Sequence, residues 1–334
     1  MIKIGIIGCG YWGPNLIRNF SQLAEAKIVF VCDIDSSKLE SIKRIYPYLQ
    51  TVVDYSEVIK SSDVDAICVA TPLDTHYKIA KEALLNNKNV LVEKPFTATV
   101  KEAEELVQIA KSRNLVLMVD HTFIYTGAVQ KIKELVDRGE LGKVYYFDSE
   151  RINLGLLRSD ANVIWDLATH DISIINYLFS QKPVNVSATG SSHVLNKKEE
   201  MAHITLRHEG GLMSHIHVSW LSPVKLRKIL VGGDKKMVLY DDVEPVEKIK
   251  IYDKGIDIKP DQVTAFNPLY RGGDIIIPKI DQSEALKRLS EHFIDCIKYK
   301  KNPLTDGQQG INVLKILEAI QKSLDSNGQL IEIE

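Results

Sequence analysis

The sequence predicts an α/β protein of two domains: a doubly wound parallel sheet, then a second α/β domain on a large, open, mainly antiparallel sheet. Three observations lead there. Short β-rich apolar runs alternate with helical patterns over the first 120 residues. A glycine-rich "GCGYWG" joins the first run to the first helix. Beyond residue 121, strand-like runs follow one another across Gly-Gly, Gly-Asp and Asp-Asp turns. A chain of 334 residues is too long for one ordinary domain and suits two, here 1–121 and 122–334.

The first domain's strands are read at "IKIGIIG", "KIVFVCD", "VDAICVAT", "NVLVEK" and "LVLMVD". They are nearly continuous in apolar residues, as strands covered on both faces require. The patterns between them, such as "THYKIAKEALLNN" and "TVKEAEELVQIAKSRN", are helical, and this alternation reads as βαβ units. In the second domain a helix, "AVQKIKELVDRGELG", precedes the strand "KVYYFDSERINL". A helix at "NVIWDLATHDISIINYLF" comes next. The runs "VNVSATGSSHVL", "MAHITLRHE", "GLMSHIHVSW", "RKILVGG", "KMVLYDD" and "EKIKIYD" then suit an antiparallel sheet. "GIDIKPDQVTAFNPLYRGGDIIIPKID" reads as a long loop or arm, and two helices close the chain.

Hydrophobic residues make up 45% and charged residues 26%, as in a soluble globular protein, and the formal net charge is −2. No basic field for a nucleic acid is present. No apolar run approaches the roughly 20 residues of a membrane span. The four cysteines, Cys9, Cys32, Cys68 and Cys296, are scattered with no CxxC, so neither a disulfide framework nor a zinc site is expected. His215 and His217 share a strand face without an evident third ligand, and no metal is expected. The expected location is a reducing cytoplasm.

"IKIGIIGCGYWGPNLI" places a GxGxxG after a strand and at the opening of a helix, the context of a Rossmann dinucleotide site. Gly8 makes the tight turn, Gly10 admits the pyrophosphate and Gly13 lets helix and strand pack closely, with Tyr11 and Trp12 between them. Asp33 ends the second strand, where an acidic residue binds the adenosine ribose hydroxyls. No arginine follows it closely, so the cofactor is read as NAD rather than NADP. The third of these strands ends at Thr71 and Pro72 and the chain runs on to His76; the fourth ends at Glu93 and Lys94. Ligands bind along that carboxyl edge of an open α/β sheet.

"GCGYWG", "ATPLDTH", "EKP" and "WDLATHD", in this order, resemble the glucose–fructose oxidoreductase / inositol dehydrogenase / rhizopine-catabolism family of NAD(P)-dependent oxidoreductases, over the whole chain. The resemblance implies a catalytic set of Lys94, Asp166 and His170. It also implies a homo-oligomer, a dimer or tetramer packed through the C-terminal sheet. "YYFDSERINLGLLRSDANVIWDLATHDISI" and "GGDIIIPKIDQSEALKRLSEHFIDCI" further resemble the branch acting on nucleotide-linked amino sugars.

The residues support that chemistry without fixing every role. Asp166 and His170 are four apart, on one face of a helix otherwise apolar, while Asp171 falls well round from them. Oxidising a secondary alcohol needs a base that titrates near the working pH, which favours His170, with Asp166 orienting the imidazole. Lys94 stabilises the developing alkoxide, or is itself the base. Arg151, Asn153, Arg158 and Asn162 are candidates to hold an anionic sugar nucleotide, and Phe123 and Tyr125 to line the site. The expected function is NAD-dependent oxidation of the 3-hydroxyl of a UDP-linked N-acetylamino sugar. The alternatives are an inositol or free-sugar dehydrogenase, a 3-ketosugar reductase, and a non-catalytic dinucleotide-sensing regulator.

Overall fold

A computed structural model describes residues 1–334 apart from 156, 158–160, 196–197 and 258–268. The chain divides into two compact units, Met1–Tyr125 with Ser283–Leu314, and Thr126–Gln282 with Lys315–Glu334.

The first unit begins with β1 (Ile2–Ile7), α1 (Gly13–Ser21), β2 (Ala26–Cys32), α2 (Ser36–Ile45), β3 (Gln50–Val52) and α3 (Tyr55–Lys60). It continues through β4 (Ala66–Val69), α4 (Leu73–Leu85), β5 (Asn89–Glu93), α5 (Val100–Ser112) and β6 (Leu117–Asp120). The six strands pair in parallel in the order β3-β2-β1-β4-β5-β6. The order reverses direction at β1 and β4, the switch point where such sheets bind ligands outside the strands' carboxyl ends. All four residues of β4 are buried, as the apolar reading required. The short β3 and α3 were not read from the sequence, since three residues of "QTV" carry no usable periodicity.

The second unit opens with α6 (Gly127–Asp137) and β7 (Val144–Leu154). A π-helical turn, Ile164–Ala168, runs into α7 (Thr169–Leu178). Then come β8 (Pro183–Ser191), β9 (Met201–His208), β10 (Met213–Ser219), β11 (Leu221–Gly233), β12 (Met237–Asp241) and β13 (Ile249–Tyr252). β14 (Gly255–Asp257) and β15 (Leu269–Arg271) form a two-stranded ribbon, and β16 (Ile275–Ile276) follows. The sheet order is β16-β13-β12-β11-β7-β10-β9-β8-β17, the last being Ile331–Glu332. Only β7 with β10 is parallel among these pairings. Burial alternates along β9 and β10: Ile204, Leu206, Ile216 and Val218 are inward, and His203, His215 and His217 lie on the other face. The His203 ring stacks on His217 at 4.2 Å and lies 6.0 Å from His215.

The expected boundary, with everything after residue 121 in the second domain, needs correction. α8 (Ala285–Tyr299) and the start of α9 (Gly307–Asp325) return to the first unit. Phe293 packs edge-on against Phe20 of α1 with centroids 6.4 Å apart. Arg18 of α1 grips Glu284 through two hydrogen bonds. Thr305, between α8 and α9, gives its carbonyl to the Val119 amide and its hydroxyl to the Val119 carbonyl. The last strand of the parallel sheet thus gains a covered edge. An amphipathic helix shows that it has a partner but not which one, so the sequence could not place α8. Among the described residues no helix is long and apolar enough to cross a membrane.

Candidate active site

The glycine-rich turn rests on three glycines with separate tasks. Gly8 has φ of +102°, and a Cβ there would lie 2.4 Å from the Ala70 carbonyl oxygen. Only glycine tolerates both the angle and the approach. A Cβ on Gly13 would lie 2.0 Å from the Gly8 carbonyl oxygen, so the helix start is pressed on the strand end. Around Gly10 a Cβ would meet nothing within 4 Å. That space serves no packing purpose, and it is the room a pyrophosphate needs to reach the backbone. α1 starts with Pro14 in its first turn, no side-chain cap and no acidic residue there. Pro14 has no N–H and the Asn15 and Leu16 amides donate to the Trp12 carbonyl, so the Gly13 amide and the positive end of the dipole are what an anion would meet. The residues present therefore fit a dinucleotide.

Asp33 is buried, with Oδ2 accepting the Cys9 amide at 2.6 Å and Oδ1 the Asp35 amide at 2.9 Å. The carboxylate expected to bind ribose thus also pins the glycine-rich turn. Lys38 holds its ammonium 3.7 Å from Asp33 Oδ1, a cation passed over in the search for an arginine.

Along the same edge, the Thr75 hydroxyl lies 2.7 Å from Thr71 Oγ1 and 2.6 Å from the Pro72 carbonyl. His76, expected at the cofactor, is buried with Nε2 2.8 Å from the Thr71 carbonyl and Nδ1 2.9 Å from the Pro95 carbonyl. A neutral imidazole has one N–H and serves one of these carbonyls. Burial outweighs their pull toward the charged form and holds the pKa below its usual value. His76 sits between the two carbonyls and commits its one N–H to one of them.

Glu93 and Lys94 stand at the end of β5. Two residues overlooked in the sequence join them from the end of β6. Asp120 is buried, accepts the Trp12 indole N–H at 2.6 Å and the Thr122 hydroxyl, and is the register partner of Glu93 on the neighbouring strand. His121 is also buried, and neither ring nitrogen has a hydrogen-bond partner. Burial, then the nearby Lys94 charge, push its pKa down to about 3. Phe123 is partly exposed. Tyr125 is instead buried against the His292 ring, its hydroxyl 3.3 Å from Thr305 Oγ1, which gives it a packing role in place of the lining role expected.

In the second unit Asp166 lies on the π-helical turn and His170 in the first turn of α7. π turns recur at functional sites, and the sequence suggested only regular α-helix. Asp166 and His170 keep partial exposure while Ala168, Thr169, Asp171 and Ile172 are buried, so the polar face is real. Trp220, not noticed in the sequence, donates its indole N–H to Asp166 Oδ2 at 3.2 Å. A buried tryptophan needs such a partner, but nothing in the sequence names it.

The anion-binding set is corrected here. Arg151 is buried and paired with Asp171, Nε to Oδ2 at 2.9 Å and Nη2 to Oδ1 at 3.0 Å. The guanidinium expected to meet substrate is engaged inside the unit, and the ambiguous Asp171 is its partner. Asn162 caps the helix by accepting the Trp165 amide, while its Nδ2 donates to Glu199 and Gln321. Asn153 is partly exposed, and Arg158 lies outside the described residues. Lys94 belongs to the first unit, Asp166 and His170 to the second. Among the described residues no group of three His, Cys, Asp or Glu side chains is arranged to hold a metal.

Residues 2–121 match the model of the oxidoreductase family with an NAD-binding Rossmann fold, and residues 129–239 match the Gfo/Idh/MocA C-terminal domain. The chain belongs to the Gfo/Idh/MocA family. It is an oxidoreductase, its cofactor is NAD, and the sensor alternative falls away. UDP-N-acetylglucosamine 3-dehydrogenase of Acidithiobacillus ferrooxidans is 25% identical over 94% of this chain and 94% of its own. Myo-inositol 2-dehydrogenase of Thermotoga maritima is 23% identical over 97% of this chain and 96% of its own. The WlbA dehydrogenase of Bordetella pertussis, solved with NADH and UDP-GlcNAcA, superposes with a TM-score of 0.83 at 20% identity, covering 100% of this chain and 98% of the other. At that identity the likeness establishes the fold.

Two outcomes follow from this geometry. Gly10→Ala leaves the melting temperature unchanged, because the added methyl meets no atom, and weakens NADH binding by roughly tenfold or more where the pyrophosphate should sit; a fluorescence titration with NADH reads it, and unchanged affinity would place the phosphates elsewhere. His121 gives an acid-labile term. Its folded pKa, about 3, lies below the ordinary 6.5, so between those values the unfolded chain binds the extra proton and stability falls as pH drops. Between pH 7 and about 4.5 that loss amounts to about 2–3 kcal/mol, and urea unfolding of His121→Phe at both pH values should show a shallower fall.

Proposed function

We propose that this NAD-dependent oxidoreductase is a sugar dehydrogenase that oxidises a secondary alcohol to a ketone, the 3-hydroxyl of a UDP-linked N-acetylamino sugar such as UDP-N-acetylglucosamine. When bound, NAD supplies the hydride acceptor. His170 takes the hydroxyl proton as general base and returns it in the reverse direction. Asp166, held by the Trp220 indole, orients the imidazole and favours its cationic form. Lys94 hydrogen-bonds the reacting oxygen and stabilises negative charge as it develops there.

The observation that carries this reading is the place of Lys94. It ends β5 on the carboxyl edge of the sheet whose glycine-rich turn has room for a pyrophosphate. The choice of a nucleotide sugar rests on the relative named for UDP-N-acetylglucosamine, similar over 94% of this chain. Arg151 contributes nothing to it, being committed to Asp171. A second reading, an inositol dehydrogenase, is favoured by the myo-inositol 2-dehydrogenase of similar identity. The reading includes self-association through the exposed face of the nine-stranded sheet, where Met213 and Leu230 stand 47% and 41% exposed.

Purified protein with NAD, tested on UDP-N-acetylglucosamine, its uronate and myo-inositol, should produce NADH with a UDP-sugar; turnover of inositol alone sinks the nucleotide-sugar reading. Lys94→Met and His170→Asn should each lose on the order of a hundredfold or more in kcat while still binding NADH. Sedimentation should give a dimer or tetramer that Leu230→Glu dissociates, and a monomeric wild type would remove the sheet face from the proposal.

A further inference from the structure

The ends of β5 and β6 carry a feature that hydride transfer as described leaves unused. Glu93 and Asp120 are register partners on adjacent parallel strands, so their carboxyls lie side by side on one face of the sheet, with Asp120 buried. Two neighbouring carboxyls withdrawn from water do not both ionise readily, and a hydrogen bond between them requires that one be protonated. Asp120 is the acceptor in every other contact, taking the Trp12 indole N–H at 2.6 Å on Oδ2 and the Thr122 hydroxyl on Oδ1. Trp12 is the residue from which α1 starts, inside the glycine-rich turn. Lys94 follows Glu93 directly and lowers the pKa of both carboxyls by its charge.

We propose that Glu93 and Asp120 form an acid pair sharing one proton, and that this pair is a positioning unit which holds a single negative charge beside the Lys94 ammonium and ties the glycine-rich turn to it through Trp12. The inference rests on the role given to Lys94 above. One anion then serves both the lysine and the glycine-rich turn.

The surroundings fit a shared proton. Burial raises the pKa of both carboxyls, Glu93 the more strongly, with the Asp120 charge adding to its rise. The remaining titratable groups offer no competing site for that proton. His121, next along the chain, is held neutral with a pKa near 3. Cys68 on β4 is buried, and burial with the Asp120 charge drives its thiol pKa well up. The pair with Lys94 is then close to neutral as a group, which the burial of Asp120 favours. Removing the Asp120 charge would leave Glu93 without an anionic acceptor, and the proton on Glu93 would be lost to pair with Lys94.

Infrared difference spectra of the full-length protein at pH 7, wild type minus Glu93→Gln and wild type minus Asp120→Asn, test the pair with no substrate. The carbonyl stretch of a protonated carboxylic acid should be present in the wild type and absent from both Glu93→Gln and Asp120→Asn. Absence of the band in the wild type, or its survival in both variants, overturns the shared proton. The positioning role is read separately. Asp120→Asn keeps an acceptor for Trp12 without the charge, and Asp120→Ala keeps neither. Turnover with whichever sugar proves active should fall roughly tenfold to a hundredfold in both, whereas NADH affinity should fall further in Asp120→Ala than in Asp120→Asn. Equal losses of NADH affinity, or a kcat within twofold of wild type in Asp120→Asn, would reduce Asp120 to a packing residue. If no sugar is turned over, the infrared and NADH measurements still decide the pair while the sugar assignment fails by itself.

Discussion

The close approach of two backbone segments sets the geometry of the cofactor domain. Gly8 and Ala70 lie so near that no Cβ fits between them, and Gly13 is pressed on Gly8 in turn. This contact brings the end of β1 against the end of β4, at the point where the strand order reverses. It aims the start of α1 outward with no side-chain cap. Asp33 and Asp120 then hold the turn from both sides, one through the Cys9 amide and the other through the Trp12 indole. Charge-assisted bonds of this kind contribute about 1.5–3 kcal/mol each, enough to keep a short turn in one conformation before any ligand arrives.

In the second unit the corresponding element is the buried pair of Arg151 and Asp171. Such a pair adds little net stability, because desolvation offsets the attraction, but removing one partner costs about 3–5 kcal/mol. It joins β7, at the centre of the nine-stranded sheet, to α7, and so fixes the helix that presents Asp166 and His170. An arginine that seemed available to substrate is, with Asp171, the means by which the helix is held. Asn162 does the same at the helix start, with its amide committed to Glu199, Gln321 and the Trp165 backbone.

The fold was largely legible because its signals are local. Apolar runs, the glycine spacing and the turns between strands each act within a few residues, and they gave the parallel sheet, the switch from parallel to antiparallel pairing, and the family. The positions of candidate residues were legible where a motif named them: Gly8, Gly10, Gly13, Asp33 and Lys94 stand at the turn and strand ends read for them. The site was not legible where partners are distant in the chain. His76 is spent on Thr71 and Pro95 carbonyls, Tyr125 on Thr305 and His292, and Arg151 on Asp171. A polar side chain in a promising loop looks the same in a sequence whether it faces a ligand or another residue.

By itself, then, the sequence determined two domains, a dinucleotide turn, the order of the longer strands and helices, and which residues carry functional groups suited to oxidising an alcohol. These follow from periodicity, from backbone angles only glycine adopts and from the functional groups themselves. Only the tertiary structure decided which of those groups remain available. It returned α8 to the first unit through Phe293 and Glu284, and it put Asp120 against Trp12 across 108 positions of chain. Packing chooses among partners that are equally plausible in one dimension, because the energy of a hydrogen bond or ion pair depends on distance and burial rather than on separation along the chain.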